Sequence, residues 1–191
     1  EGRETPFEII QINHVSFDDD LDLVHSLSGV QAILHFAGVN RAESPEVVEE
    51  ANPDIATRLI WGCNQAGVRP HVVYANSTHA VSDTPYGRSK RIAGEILADA
   101  AGKFSNLILP HIFGECARPY YNNVTATFID KILKGEGVIP NPDGRVELVH
   151  AGAAAQAAID LVLEGRTGDA RPEPRQMTVP DLFEKLLGFH N

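Results

Sequence analysis

The stretch Tyr86-Gly87-Arg88-Ser89-Lys90 places a phenol and an ammonium four residues apart. On a helix, positions i and i+4 share a face, so these two groups can meet one turn apart. A free tyrosine titrates at about 10 and is a poor acid or base at neutral pH. A fixed positive charge beside it favours the phenolate. A tyrosine tuned in this way can pass a proton to or from a hydroxyl or a carbonyl oxygen. Taken alone, the pair more often marks a solvated helix surface.

Two neighbouring segments change that weight. Tyr74-Ala75-Asn76-Ser77-Thr78 lies just before the helix, at the end of an apolar strand-like run. Ligands of open α/β sheets bind at strand carboxyl ends, where a hydroxyl could hold the reacting oxygen against Tyr86. Ordinary turn and capping chemistry would account equally for Ser77 and Thr78. One strand earlier, Ala37-Gly38 follows another apolar run. Small residues there let a flat cofactor approach the backbone, although a tight turn also explains them.

The elements that must position these residues alternate along the chain. Phe7 to Ile12 reads as a short β-rich run and Asp18 to Leu27 as a short helix. Ala32 to Phe36 reads as a buried strand. Ser44-Pro45 supplies an N-cap and a first-turn proline for a long helix to Gln65, closed by Gly67, with a kink or restart expected at Pro53. His71 to Tyr74 is the next strand. Pro85 opens a helix through Ala101 with Gly102 as its C-terminal glycine, and Leu107 to Leu109 follows as a strand. This β–α–β–α–β order predicts an α/β fold, a doubly wound parallel sheet of Rossmann type. Beyond Pro110 the pattern predicts a polar loop, a helix from Val124 to Leu133, a strand at Val146 to Val149 and a helix from Ala151 to Glu164. A polar linker from Arg166 to Arg175 and a last helix ending near Gly188 complete the chain. Residues 1–110 are thus expected to form a partial dinucleotide-binding core. Residues 111–191 are expected to form a small substrate-binding region interleaved with it in the same domain.

Bulk composition narrows the class. A chain of 191 residues buries roughly 70% of its unfolded surface and can form a real core. Apolar residues make up 43% and charged residues 22%, ordinary for a globular protein. The net charge of -10 and the lack of Lys/Arg clusters argue against a nucleic-acid partner. No segment reaches the roughly 18 apolar residues of a membrane span. Cys63 and Cys116 fit no disulfide framework, which points to a reducing, cytoplasmic setting. The histidines show no H-E-x-x-H and no Cys/His pair at ligand spacing, so no metal site is expected. No G-x-S-x-G elbow occurs. Trp61 and Phe128 read as core, and His35 as core or cofactor-proximal.

Four segments together resemble a known family. They are His35-Phe36-Ala37-Gly38-Val39-Asn40-Arg41, Asn76-Ser77-Thr78-His79-Ala80, Pro85 to Lys90, and Leu109-Pro110-His111-Ile112-Phe113-Gly114-Glu115. Their order is similar to that of extended short-chain dehydrogenases/reductases, the NAD-dependent epimerase/dehydratase family, over about residues 7 to 190. Arg118 to Phe128 and the short spacer between Ser77 and Tyr86 resemble, within that family, the capsular-polysaccharide-assembly reductases of UDP-linked amino sugars.

The resemblance implies roles. Tyr86 would be the acid/base, and Lys90 would lower its pKa and bind the nicotinamide ribose of NADP or NAD. Ser77 would be the third catalytic residue, with Thr78 its rival because the register is ambiguous by one. Phe36, Ala37, Gly38 and Pro110 would line the cofactor. His111, Asn122 and Arg145 would contact a UDP-sugar substrate. The implied activity is reduction of a 4-keto UDP-amino sugar in capsule or O-antigen precursor synthesis, by a homodimer. A nucleotide-sugar 4-epimerase, a non-enzymatic dinucleotide sensor and an inactive fragment are the alternatives.

The chain also departs from the family pattern. His111 stands where Asn is common, and Ile108-Leu109 where Arg is common. His150-Ala151-Gly152-Ala153 replaces a common Asp pair. No adenine-pocket Asp is evident at Asn13-His14-Val15. His79-Ala80 replaces the Asp-Glu pair of the dehydratases, which disfavours that chemistry. No G-x-G-x-x-G occurs; the chain begins Glu1-Gly2-Arg3, and a start after the first strand–loop–helix unit of about 30 residues is expected.

Overall fold

The computed structural model describes residues 7–190; the Glu1-Gly2-Arg3 start lies outside them. Two short helices, α1 (His14–Asp18) and α2 (Asp20–Leu27), precede strand β1 (Ala32–His35). Helix α3 (Pro45–Gln65), strand β2 (His71–Ser77), helix α4 (Pro85–Ala100) and strand β3 (Lys103–Leu109) follow. Then come β4 (His111–Phe113), α5 (Val124–Leu133), β5 (Arg145–His150), α6 (Ala151–Leu163), β6 (Gly168–Ala170), β7 (Arg175–Thr178) and α7 (Val179–His190).

Strands β1, β2, β3 and β6 form a parallel sheet in that spatial order. Helices cover both of its faces, and the strand sequences show why. Along β2, Val72 and Tyr74 turn toward a core built with Leu23, Leu27, Ala56, Leu59 and Leu97 of α2, α3 and α4. Val73 turns the other way, toward Ala154, Ala158 and Leu161 of α6. Period-two alternation thus feeds two cores from one strand. A second sheet, β4-β5-β7, joins β4 and β5 in parallel and β5 and β7 antiparallel. It packs Leu148 against Phe128 of α5 and Leu182 of α7.

Helix starts follow their caps. Ser44 accepts from the Val47 N–H at 3.4 Å, ahead of Pro45. Thr84 accepts from the Gly87 N–H at 3.1 Å, ahead of Pro85. Gly67 ends α3 with a φ of 67°, the left-handed value glycine adopts without a steric penalty.

The structure differs from the sequence reading in five places. Phe7 to Ile12 is not a strand: it pairs with no strand among the described residues, and Phe7, Ile9 and Ile10 stay exposed. The acidic segment from Asp18 to Leu27 splits, because Asp19 both ends α1 and caps α2 through the Asp22 N–H at 2.9 Å. Pro53 does not break α3, which runs through it. Gly102 is not a left-handed cap; a Cβ there would collide with the Arg69 carbonyl oxygen, so close approach explains the glycine. Three short strands, β4, β6 and β7, escaped the reading because β4 has only three residues and β6 and β7 are short and mostly polar, so none shows the apolar run that marks β1.

Candidate active site

The register of the large sheet sets the site. His35 pairs with Tyr74 and Ser77 pairs with Leu109, so β1, β2 and β3 end along one edge. The segments that leave those ends, 36–40, 77–81 and 110–113, meet the first turns of α4 there. Between them lies a cleft of about 350 Å³ lined by Phe36, Gly38, Ser77, Tyr86, Lys90 and Pro110, with Tyr121 among its other walls. A larger cleft of about 480 Å³, between α5 and the 113–119 loop, holds none of the Tyr/Lys/Ser set.

Lys90 is 4% exposed. Its Nζ donates to the Ala75 carbonyl at 2.7 Å and lies 4.1 Å from the centroid of the Tyr74 ring. His35 stacks on the same ring at 5.4 Å. Burial pushes the Lys90 ammonium down to about 7. Burial, aided by the Lys90 charge, pushes His35 down to about 4, so His35 is neutral at physiological pH. Burial also raises Tyr74.

Tyr86 behaves differently from the sequence expectation. Its phenol is raised by burial, and the nearby Ser77 hydroxyl pulls it part of the way back. The fixed positive charge expected from Lys90 is instead turned onto the Ala75 carbonyl. A raised phenol is protonated at neutral pH and is a weaker acid than a free tyrosine.

Ser77 lines the cleft, whereas Thr78 opens the 3-10 turn that follows and is not among the lining residues. The Ser77 oxygen accepts from the His79 N–H at 3.1 Å. Its backbone N–H donates to Asn76 Oδ1 at 2.8 Å, Asn76 Nδ2 donates to Asn106 Oδ1 at 2.9 Å, and Asn106 Nδ2 donates to Asp169 Oδ1 at 2.8 Å. This row of side chains across β2, β3 and β6 fixes both amides and the start of the turn.

The other candidates are scattered. Ala37 sits between Phe36 and Gly38 but is not itself a lining residue. His111 follows Pro110 with its Nε2 buried and unpartnered, and burial lowers its pKa. Asn122 Oδ1 accepts from Arg41 Nη2 at 3.0 Å. Arg145 starts β5, exposed, opposite Thr178; it does not line the cleft.

A model of the NAD dependent epimerase/dehydratase family matches residues 3–173. The chain belongs to this family. It is 31% identical over 179 residues to the UDP-2-acetamido-2,6-beta-L-arabino-hexul-4-ose reductase of Pseudomonas aeruginosa, covering 89% of this chain and 48% of that protein. Among solved structures it is similar to DesIV, a dTDP-glucose 4,6-dehydratase from Streptomyces venezuelae, at 21% identity and a TM-score of 0.75, covering 90% of this chain and 61% of that one. It is similar also to the UDP-glucose 4-epimerase of Thermus thermophilus, at 18% identity and a TM-score of 0.76, covering 90% and 66%. The chain therefore spans about half the length of the curated relative it matches. At these identities the two solved structures speak for the fold, which is that of the Rossmann-type members of the family.

In this epimerase/dehydratase-family chain, Asn52 holds the cleft together and was not singled out from the sequence. It is 3% exposed. Its Oδ1 accepts from the Val39 N–H and its Nδ2 donates to the Val39 carbonyl, both at 2.9 Å. Nδ2 also donates to Ser89 Oγ at 2.8 Å, and Ser89 Oγ donates to the Tyr86 carbonyl at 2.9 Å. One amide thus ties the Gly38-Val39 turn to the helix that bears Tyr86 and Lys90. The signal was present in the sequence: Val48, Asn52, Ala56, Leu59 and Cys63 form one buried stripe of α3, and Asn52 is its polar member. Asn52→Leu is expected to lower stability by about 1–3 kcal/mol through unpaired backbone groups and to impair catalysis. Urea unfolding and a kcat measurement test this. An unchanged kcat in a folded Asn52→Leu variant would show that the tie is dispensable.

Gly38 makes room. A Cβ there would stand 2.8 Å from Asn52 Oδ1 and 3.8 Å from Lys90 Nζ. The close approach of the Asn52 amide therefore explains the glycine.

Proposed function

We propose that this chain carries the catalytic cleft of an NAD(P)-dependent oxidoreductase of nucleotide sugars, acting as a reductase of a 4-keto UDP-amino sugar. The observation that carries the reading is the convergence of Tyr86, Ser77 and Lys90 in one cleft, with Gly38 in its wall. The match to a UDP-sugar keto reductase supports the substrate class.

The residues present fit the nicotinamide-ribose end of a dinucleotide. Lys90 offers a buried ammonium whose remaining donors suit ribose hydroxyls. Phe36, Gly38 and Pro110 form the walls against which a flat ring would lie, with Ala37 in the backbone between the first two. When bound, the dinucleotide supplies or accepts the electron pair exchanged with the sugar carbon. The chain's own residues handle the proton. Tyr86, protonated at neutral pH, donates to the oxygen of the ketone as it becomes an alcohol. Ser77 holds that oxygen with a second hydrogen bond, and the row from Asn76 to Asp169 keeps Ser77 in place. At neutral pH Tyr86 is in its protonated form, the form the reductive direction consumes, and the alkoxide formed at the sugar carbon is basic enough to take its proton.

His111 of β4, Asn122 of the loop before α5 and Arg145 of β5 remain proposed contacts to the sugar nucleotide. The setting we assign is cytoplasmic precursor synthesis for a surface polysaccharide. Both cysteines are free, which supports a reducing compartment. Within the described residues no helix is long and apolar enough to cross a membrane.

Structural similarity to a UDP-glucose 4-epimerase gives the second reading, in which the sugar ends inverted and no dinucleotide is consumed. Following absorbance at 340 nm in the full-length protein with a UDP-linked 4-keto amino sugar and NADPH separates the two. Stoichiometric oxidation of NADPH is expected. Interconversion of two sugar nucleotides without net oxidation would overturn the reductase assignment in favour of the epimerase.

A further inference from the structure

The loop between β4 and α5 holds three non-glycine residues in the left-handed region: Cys116 at a φ of 63°, Tyr120 at 60° and Asn122 at 52°. Asparagine tolerates this region, but a tyrosine there is uncommon. Such backbone persists where surrounding contacts over-determine it, and it clusters at ligand clamps. Here the contacts can be named. Arg41, from the loop after β1, donates from Nη2 to Asn122 Oδ1 at 3.0 Å and from Nη1 to the Tyr120 carbonyl at 3.5 Å. The Tyr120 N–H donates to Thr127 Oγ1 at 2.9 Å and its hydroxyl to Asp130 Oδ2 at 2.7 Å.

Tyr121 lies between the two constrained residues. It lines the same cleft as Ser77, Tyr86 and Lys90, and it remains 38% exposed. The guanidinium groups of Arg41 and Arg118 stand 5.4 and 5.3 Å from its ring centroid, within cation–π range. A partly exposed aromatic wall is thus flanked by left-handed backbone on both sides and by two cations, in the same cleft as Ser77, Tyr86 and Lys90. Simple burial does not explain this arrangement, since Tyr120, Tyr121 and Asn122 are all exposed.

We infer that Tyr121 is a specificity-determining residue that packs against the sugar ring of the substrate, and that Arg41 is the residue that positions it. The inference rests on the nucleotide-sugar reading above. Aromatic rings offer a flat apolar face to the C–H groups of a pyranose, so a fixed ring selects sugar geometry without touching the reacting oxygen. Arg41 acts through the loop: it grips the residue on either side of Tyr121 and stands over its ring.

The test uses the full-length protein and four variants: Tyr121→Ala, Arg41→Met, Asn122→Gly and the double variant Arg41→Met/Tyr121→Ala. Tyr121→Ala is expected to raise KM for the keto-sugar nucleotide about tenfold, the scale of one lost contact of about 1.4 kcal/mol. KM for NADPH and kcat should stay near the parent values. Arg41→Met should reproduce much of that rise, and the double variant should be no worse than Tyr121→Ala, because Arg41 has nothing left to position. Asn122→Gly keeps the left-handed backbone without a steric penalty, so it should fold normally while raising KM through loss of the Arg41 anchor and of its own proposed contact to the substrate. An unchanged sugar KM in Tyr121→Ala overturns the specificity role. Additive effects in the double variant overturn the positioning role of Arg41. If the parent does not turn over, the reductase reading fails, and binding of UDP-N-acetylglucosamine by calorimetry across the same variants still reads the roles of Tyr121 and Arg41. A parent that binds no such nucleotide sinks both.

Discussion

Tyr86→Phe in the full-length protein is expected to lower kcat by more than about 100-fold, the scale of general acid–base catalysis, with little change in affinity for the dinucleotide. The expectation follows from what the substitution leaves intact. Tyr86 is a half-buried residue of the first turn of α4, and phenylalanine preserves its ring, its packing and the helix start capped by Thr84. Only the hydroxyl goes. With it goes the proton donor held above neutral pH by burial and steadied by Ser77. Ser77→Ala should then be the milder variant, because it removes one hydrogen bond while the acid remains. Single-turnover kinetics with saturating NADPH reads the step directly. A Tyr86→Phe protein that retains a tenth or more of the parental rate would move the acid elsewhere, and His79, whose ring centroid is 6.5 Å from that of Tyr86, would be examined next.

The pH profile adds a sign to this argument. A phenol raised by burial stays protonated across the neutral range, so Tyr86 itself imposes no fall in the reductive rate at mildly alkaline pH; a fall nearer 7 would report Lys90 losing its charge. A donor lowered by an adjacent ammonium would fail earlier.

How much of this was legible in the sequence depends on the reach of each signal. The Tyr/Lys spacing, the strand-end hydroxyls and the small residues at Ala37-Gly38 are local, and the parallel register brings their segments to one edge because β1, β2 and β3 all point the same way. The large helices were legible because Ser44-Pro45, Gly67 and Pro85 punctuate them. What escaped was of two kinds. Short strands such as β4 carry no period. Long-range polar contacts carry no spacing at all: Arg41 reaches Asn122 across 81 positions, and nothing local to either residue announces the other. The protonation state of Tyr86 belongs to this second kind. Helical spacing places Lys90 one turn away, but only the fold reveals that the Ala75 carbonyl and the Tyr74 ring take its ammonium.

Lys90→Met is expected to abolish turnover and yet stabilise the fold by about 1–3 kcal/mol at pH 6.5. Lys90 is buried at the sheet edge and its ammonium is lowered by desolvation from 10.5 to about 7. The sign follows from linkage. Between those two values the unfolded chain binds more protons than the folded one, so stability rises with pH across this window. The penalty is fully present below about 7 and gone above 10.5. A shift of that size corresponds to at most on the order of 5 kcal/mol. The substitution recovers less, because it also removes the donor to the Ala75 carbonyl and the cation over Tyr74. Methionine keeps an unbranched side chain of similar volume and requires no charge to be desolvated. Urea unfolding of parent and Lys90→Met at pH 6.5 and at pH 10, without dinucleotide, measures both claims. The variant should be the more stable at the lower pH, and its advantage should shrink at the higher one as the parent is relieved of its buried charge. A variant less stable than the parent at pH 6.5 would mean that the bonds to Ala75 and Tyr74 outweigh desolvation. Lys90 would then contribute to the fold as well as to catalysis, rather than being kept for catalysis at a cost to stability.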